Sequence, residues 1–160
     1  MACKTLAALG AVCAISGAAM AQGVPMGWGT GYGQGVLQAL VRAPGEDSYI
    51  AFNCSTAEFQ QGPSVSVQVA GRPPEGRHTL QLTVDGQTLP LPLLNGVVNG
   101  NDRDAGVQTA ARALMTSSSP TFTAQIPDLN WRQEFPLANA RTALREPSGN
   151  TIVDQCGPRR

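Results

Sequence analysis

The chain has 160 residues, 42 % of them hydrophobic and 14 % charged, with eleven cations balancing eleven acids. That supplies one core without help from metals. The scattered arginines form no nucleic-acid footprint, and the lack of a histidine pair or a Cys/His cluster argues against a zinc site.

Residues 1–21, MACKTLAALGAVCAISGAAMA, place one cation, Lys4, before an uncharged apolar run that closes on Ala19-Met20-Ala21. This is the layout of a secretory signal peptide, and the run is short for a membrane-spanning helix. The expected mature chain starts at Gln22, has no membrane span, and carries ten arginines, eleven acids and no lysine. The lack of lysine fits a GC-rich bacterial genome, and with the leader it points to a periplasmic address. Cleavage also removes Cys3 and Cys13. The two that stay, Cys54 and Cys156, most simply form one disulfide in an oxidising compartment. A bridge closing about a hundred residues removes on the order of 4–5 kcal/mol of unfolded-chain entropy.

Residues 22–35 form a Gly/aromatic segment ahead of the main domain, 36–160. In GWGTGYGQG, 27–35, glycine occupies every second position. The G-x-G-x-x-G order is absent, because Gln34 stands where the third glycine belongs, and no Lys-Ser or Lys-Thr follows, which excludes a P-loop. Extended, the segment shows glycines on one side and Trp28, Thr30, Tyr32 and Gln34 on the other, a strip able to present Trp28 and Tyr32 to a partner. The alternative is an unstructured lead into the strand VLQALVRA, 36–43.

Period-two alternation then marks a series of strands with one buried face. DSYIAFNCS, 47–55, aligns Ile50, Phe52 and Cys54; SVSVQVAG, 64–71, aligns Val65, Val67 and Val69. In HTLQLTVDGQTLPLPLL, Asp85-Gly86 suits a two-residue type I′ turn. That turn pairs Val84 with Gln87, Leu82 with Leu89 and Leu80 with Leu91. Pro90 and Pro92 then lack amides only where these would point away from the partner, so 87–93 is expected at a sheet edge. His78, at the start of this hairpin, reads as a solvated side chain rather than a general base.

NGNDRDAG, 99–106, brings Asn101, Asp102 and Asp104 together but fails the EF-hand pattern, because Arg103 holds a ligand position and no glutamate follows at the right distance. It reads as a loop feeding a helix capped by Asp102 or Asp104. Val107, Ala110, Ala111 and Leu114 fall at i, i+3, i+4 and i+7 of that helix. TFTAQIPD, 121–128, returns to alternation with Phe122, Ala124 and Ile126. Leu137, Ala140 and Leu144 share a face of a second short helix ending near Pro147. A last strand is expected around TIVDQC, 151–156. The total is a mostly β, single-domain β-sandwich (β-rich α+β) with two short helices, closed by one disulfide.

YIAFNC, followed much later by FPLANARTAL and then Cys156, resembles two kinds of small periplasmic protein: the invasion-associated locus B family and the VasI-like accessory proteins of type VI secretion. Phe135, Leu137, Ala143 and Leu144 match the tail of those families, and Cys54 and Cys156 match their flanking cysteines. Asn139 stands where they favour glycine; Asn is the residue next most willing to turn left-handed. The resemblance implies a disulfide-closed β-sandwich in the periplasm with a cell-envelope accessory role, and it transfers no catalytic residue. The expected function is therefore that of an exported, non-enzymatic binding or accessory protein with a protein partner in the envelope, no cofactor, no metal and no nucleic acid. The alternatives are a small inhibitor or immunity protein against a cell-wall enzyme, and a carboxylate-based hydrolase of envelope glycans.

Overall fold

In the computed structural model, the described residues are 27–55, 62–100, 106–145, 152–154 and 156. The expected leader, Asp102, Asp104 and Pro147 lie outside them. The first seven strands are β1 (Gly29–Gly33), β2 (Val36–Arg42), β3 (Tyr49–Ser55), β4 (Ser64–Gln68), β5 (Arg77–Val84), β6 (Gln87–Leu94) and β7 (Val97–Asn99). The helix α1 (Val107–Thr116), β8 (Thr121–Ile126), a 3-10 turn (Pro127–Leu129), β9 (Trp131–Pro136) and α2 (Ala140–Leu144) follow. The protein is mostly β, with two short helices and a Cys54–Cys156 disulfide whose Cα atoms stand 5.2 Å apart.

All nine strands belong to one antiparallel sheet in the order β1-β2-β3-β4-β7-β6-β5-β8-β9. Its two-layered form comes from curling. Phe52 on β3 and Phe122 on β8 both lie about 6 Å, centroid to centroid, from the ring of Trp28. A flat sheet would hold those strands about 24 Å apart. β2 and β9, second and last in the order, are likewise in contact. The interior is one apolar cluster that draws on both helices and on strands from β2 to β9, including Val41, Ile50, Val65, Leu82, Leu91, Leu114 and Phe135.

Two-residue turns set the register. Gln34-Gly35, Asp85-Gly86 and Asn95-Gly96 each join neighbouring strands with positive φ at both residues (50° and 76°, 49° and 78°, 49° and 76°), the twist that suits a hairpin. Ala70-Gly71 does the same across the Val69–Arg72 bridge, at 48° and 78°. The Asp85-Gly86 hairpin has the register read from its turn: Val84 opposite Gln87, Leu82 opposite Leu89, Leu80 opposite Leu91.

Gln87–Leu93 are laddered to β5 alone, an edge as expected, although β6 as a whole is not terminal in the sheet order because Leu94 meets Val97 of β7. Two expectations need correction, the cap of α1 and the last strand. The N-cap of α1 is Gly106 at φ 68°, a residue with no capping side chain. It packs so close to Leu91 that a Cβ there would sit 3.1 Å from Cδ2. The last strand does not form over the described residues: Ile152, Val153 and Asp154 make a turn. Adjacent Ile152 and Val153 are both buried, and the Ile152 amide donates to the Leu144 carbonyl at 2.8 Å, so the chain folds back on the end of α2 instead of pairing with a strand. The Gly/aromatic segment is extended over Gly29–Gly33, where it supplies β1.

Two stability measurements follow. Replacing Cys54 and Cys156 with serine should cost about 4 kcal/mol in urea unfolding, because the bridge spans 102 residues. Ala70→Gly should gain about 0.5 kcal/mol, since the relief of left-handed alanine outweighs the added backbone entropy.

Candidate functional site

The β1–β2 hairpin has two unlike faces. Residues directly opposite each other in an antiparallel pair share a face. Gly29, Gly31 and Gly33 lie opposite Leu40, Gln38 and Val36, and so occupy the side away from the core residues Ala39 and Val41. Nothing stands within 4 Å of where a Cβ would project from any of the three. Gly31, Tyr32, Gly33, Gln34, Val36 and Gln38 line an open groove of about 460 Å³ here. Beside it, Gln38 Nε2 donates to Asn53 Oδ1 and Asn53 Nδ2 donates to Ser66 Oγ, each at 2.8 Å. This ladder of uncharged groups crosses β2, β3 and β4, and it fixes which way each amide faces.

Structure separates the two aromatics expected on one exposed strip. Trp28 is only 4 % exposed, wedged between Phe52 and Phe122, and its amide donates to the Ala138 carbonyl at 2.9 Å. It is a core residue and cannot face a partner in this fold. Its indole Nε1 is buried without a hydrogen-bond partner. Tyr32, one pair from the hairpin turn, is 70 % exposed.

A second polar cluster lies at the start of β5. His78 is not solvated as expected: its side chain is 10 % exposed, with Nδ1 2.5 Å from Asp128 Oδ2 and Nε2 2.6 Å from the Glu75 carbonyl oxygen. The Asp128 hydrogen bond first, and the Glu75 carbonyl second, hold its pKa above the ordinary 6.5. The His78 hydrogen bond holds the Asp128 carboxyl below its ordinary range. Among the described residues, no group of three His, Cys, Asp or Glu is placed to hold a metal ion.

The model of the YfjT family matches residues 26–144. The chain belongs to the YfjT family. No curated protein and no solved structure matches it. The YfjT match begins just before Trp28 and ends with α2, so it takes in β1, the groove and the His78–Asp128 pair, while Cys156 lies beyond it. Of the residues singled out in the sequence, Cys54 and Cys156 are joined, and Tyr32 adjoins the groove. Gln38 and Asn53 were missed, since a half-buried amide on the polar face of a strand gives no signal until its neighbour across the sheet is known.

The burial contrast is directly measurable. Trp28→Ala should cost about 3–5 kcal/mol in chemical denaturation, and Trp28→Phe, which removes the unpartnered N–H, less than half of that. Tyr32→Ala should stay within about 0.5 kcal/mol of the wild type.

Proposed function

We propose that the protein is an exported, periplasmic binding or accessory component of the bacterial cell envelope, acting through its β1–β2 hairpin and without covalent chemistry. The observation that carries this is the hairpin itself: one face opens into a groove lined by Gly31, Gly33, Val36 and Gln38, and the other presents the exposed Tyr32, opposite Leu37. Tyrosine is enriched where proteins meet, because it offers a large rigid surface with one polar tip. The Cys54–Cys156 bridge supports an address outside the reducing cytoplasm, as does the leader-like start of the chain. Both ring nitrogens of the single histidine are already engaged, which supports a role without acid–base catalysis. The similarity to locus B and VasI-like proteins fits the same reading, and Asn139 does take the left-handed turn at φ 65°.

A photo-cross-linking amino acid at position 33, on the same face as Gly31, in cells exporting the full chain, tests the proposal. The expected result is a discrete protein adduct that disappears when Gly31→Thr fills the groove. That substitution meets no neighbour within 4 Å and gives the strand a better β-former, so its melting temperature should not fall. No adduct, or one indifferent to Gly31→Thr, overturns the role of the hairpin. A cell-wall hydrolase as the captured partner would make the protein its inhibitor.

A further inference from the structure

His78 sits where three chain segments meet. The Pro73–Gly76 loop is clamped on one side by Asn95: the Gly76 amide donates to Asn95 Oδ1, and the Asn95 amide donates to the Gly76 carbonyl, both at 2.8 Å. Gly96 packs against Pro73, so closely that a Cβ there would lie 2.7 Å from the proline ring. On the other side the loop is held by His78, whose Nε2 points at the Glu75 carbonyl while Nδ1 points at Asp128 on the 3-10 turn between β8 and β9. Opposite His78 on β6 stands the apolar Leu93. The charged groups on the surrounding elements are Asp128 on the 3-10 turn, Glu75 in the loop, Arg77 on β5, and Arg132 and Glu134 on β9. Asp128 is the one whose side chain bonds the ring.

A carbonyl oxygen and a carboxylate can only accept, so both ring nitrogens must donate. A neutral imidazole carries one N–H. Whichever tautomer it takes, one nitrogen lone pair then faces an oxygen lone pair at about 2.5–2.6 Å. We infer that His78 is a proton-operated latch: as imidazolium it ties the Pro73–Gly76 loop to the 3-10 turn, and on losing its proton to solvent it lets one of them go. The inference is independent of the binding role proposed for the hairpin.

The direction of the pH dependence follows from the two shifts. A raised histidine pKa stabilises the folded state fully below 6.5, and that stabilisation is lost as pH rises through the raised folded value. A lowered Asp128 pKa contributes above its ordinary 3.8 and is lost as pH falls through the depressed value. The latch is thus closed in mildly acidic solution and opens on the alkaline side.

Because the chain has one histidine, NMR of a tag-free protein reads a single imidazole titration. The midpoint should lie above 6.5 and fall back toward it in Asp128→Asn. Amide exchange at Gly76, Asn95 and Asn130, corrected for the intrinsic pH effect, reports the latched segments, with Phe52 on β3 as the internal reference. On passing from below 6.5 to above the midpoint, opening at these amides should increase by about tenfold for each pH unit by which the midpoint exceeds 6.5. Phe52 should not respond. In Asp128→Asn the three amides should open readily at both pH values. A wild-type midpoint at or below 6.5, or equal protection on both sides of it, overturns the latch even if the variant fails to fold.

Discussion

Closure of the curled sheet through Trp28 is the constraint on which the rest of the architecture depends. An antiparallel sheet with one apolar face must cover that face, and here the covering is done largely by the sheet itself. Trp28 ties the start of β1 to the residues after β9 with its backbone, and brings β3 and β8 together with its ring. The approach requires Gly27, where a Cβ would lie 2.8 Å from the Ala138 carbonyl oxygen. The glycines of GWGTGYGQG therefore serve different ends. Gly27 permits contact, Gly29, Gly31 and Gly33 leave one face bare, and Gly35 completes a turn.

Around that closure, polar side chains act as staples between segments distant in sequence. Asp85, in the β5–β6 turn, accepts hydrogen bonds from Ser117 Oγ at 2.8 Å and Ser119 Oγ at 2.5 Å, tying the turn to the chain leaving α1. The same bonds lower its pKa. Arg112 on α1 meets Asp154 at 2.9 Å, beside buried Ile152 and Val153. Ser48, fully buried, accepts from the Ala70 amide at 2.9 Å and so joins the loop after β2 to the turn after β4. On the glycine face of the hairpin proposed for binding, the corresponding tie is the uncharged Gln38–Asn53–Ser66 ladder, which joins β2 to β3 and β4.

Much of this was legible locally. Asp85-Gly86 fixed a register, and the stripe Val107, Ala110, Ala111, Leu114 marked the residues α1 buries. Asn95-Gly96 was equally readable, but β7 beyond it is three residues long, too short to show a period. β9 escaped because Gln133 interrupts the apolar face between Trp131 and Phe135, opposite Ala124. The curl was invisible because it rests on contacts between residues far apart in sequence, of which Trp28 with Phe122 is the clearest. Exposure of Trp28 was misjudged for the same reason: in the sequence it looks like Tyr32, and only the partner brought in by closure distinguishes them. The groove shares this limit, since it is defined by β1 against β2 and by amides that meet across strands.

The tight turns have a kinetic corollary. Hairpins closed by two residues can form from neighbouring chain alone, whereas the Trp28–Ala138 contact must gather segments more than a hundred residues apart. Assembly then proceeds from separate ribbons toward a late docking of the two extremities. Until that docking, the apolar interior stands open to water, and the vulnerable interval of this molecule's life is the time its ends spend finding each other.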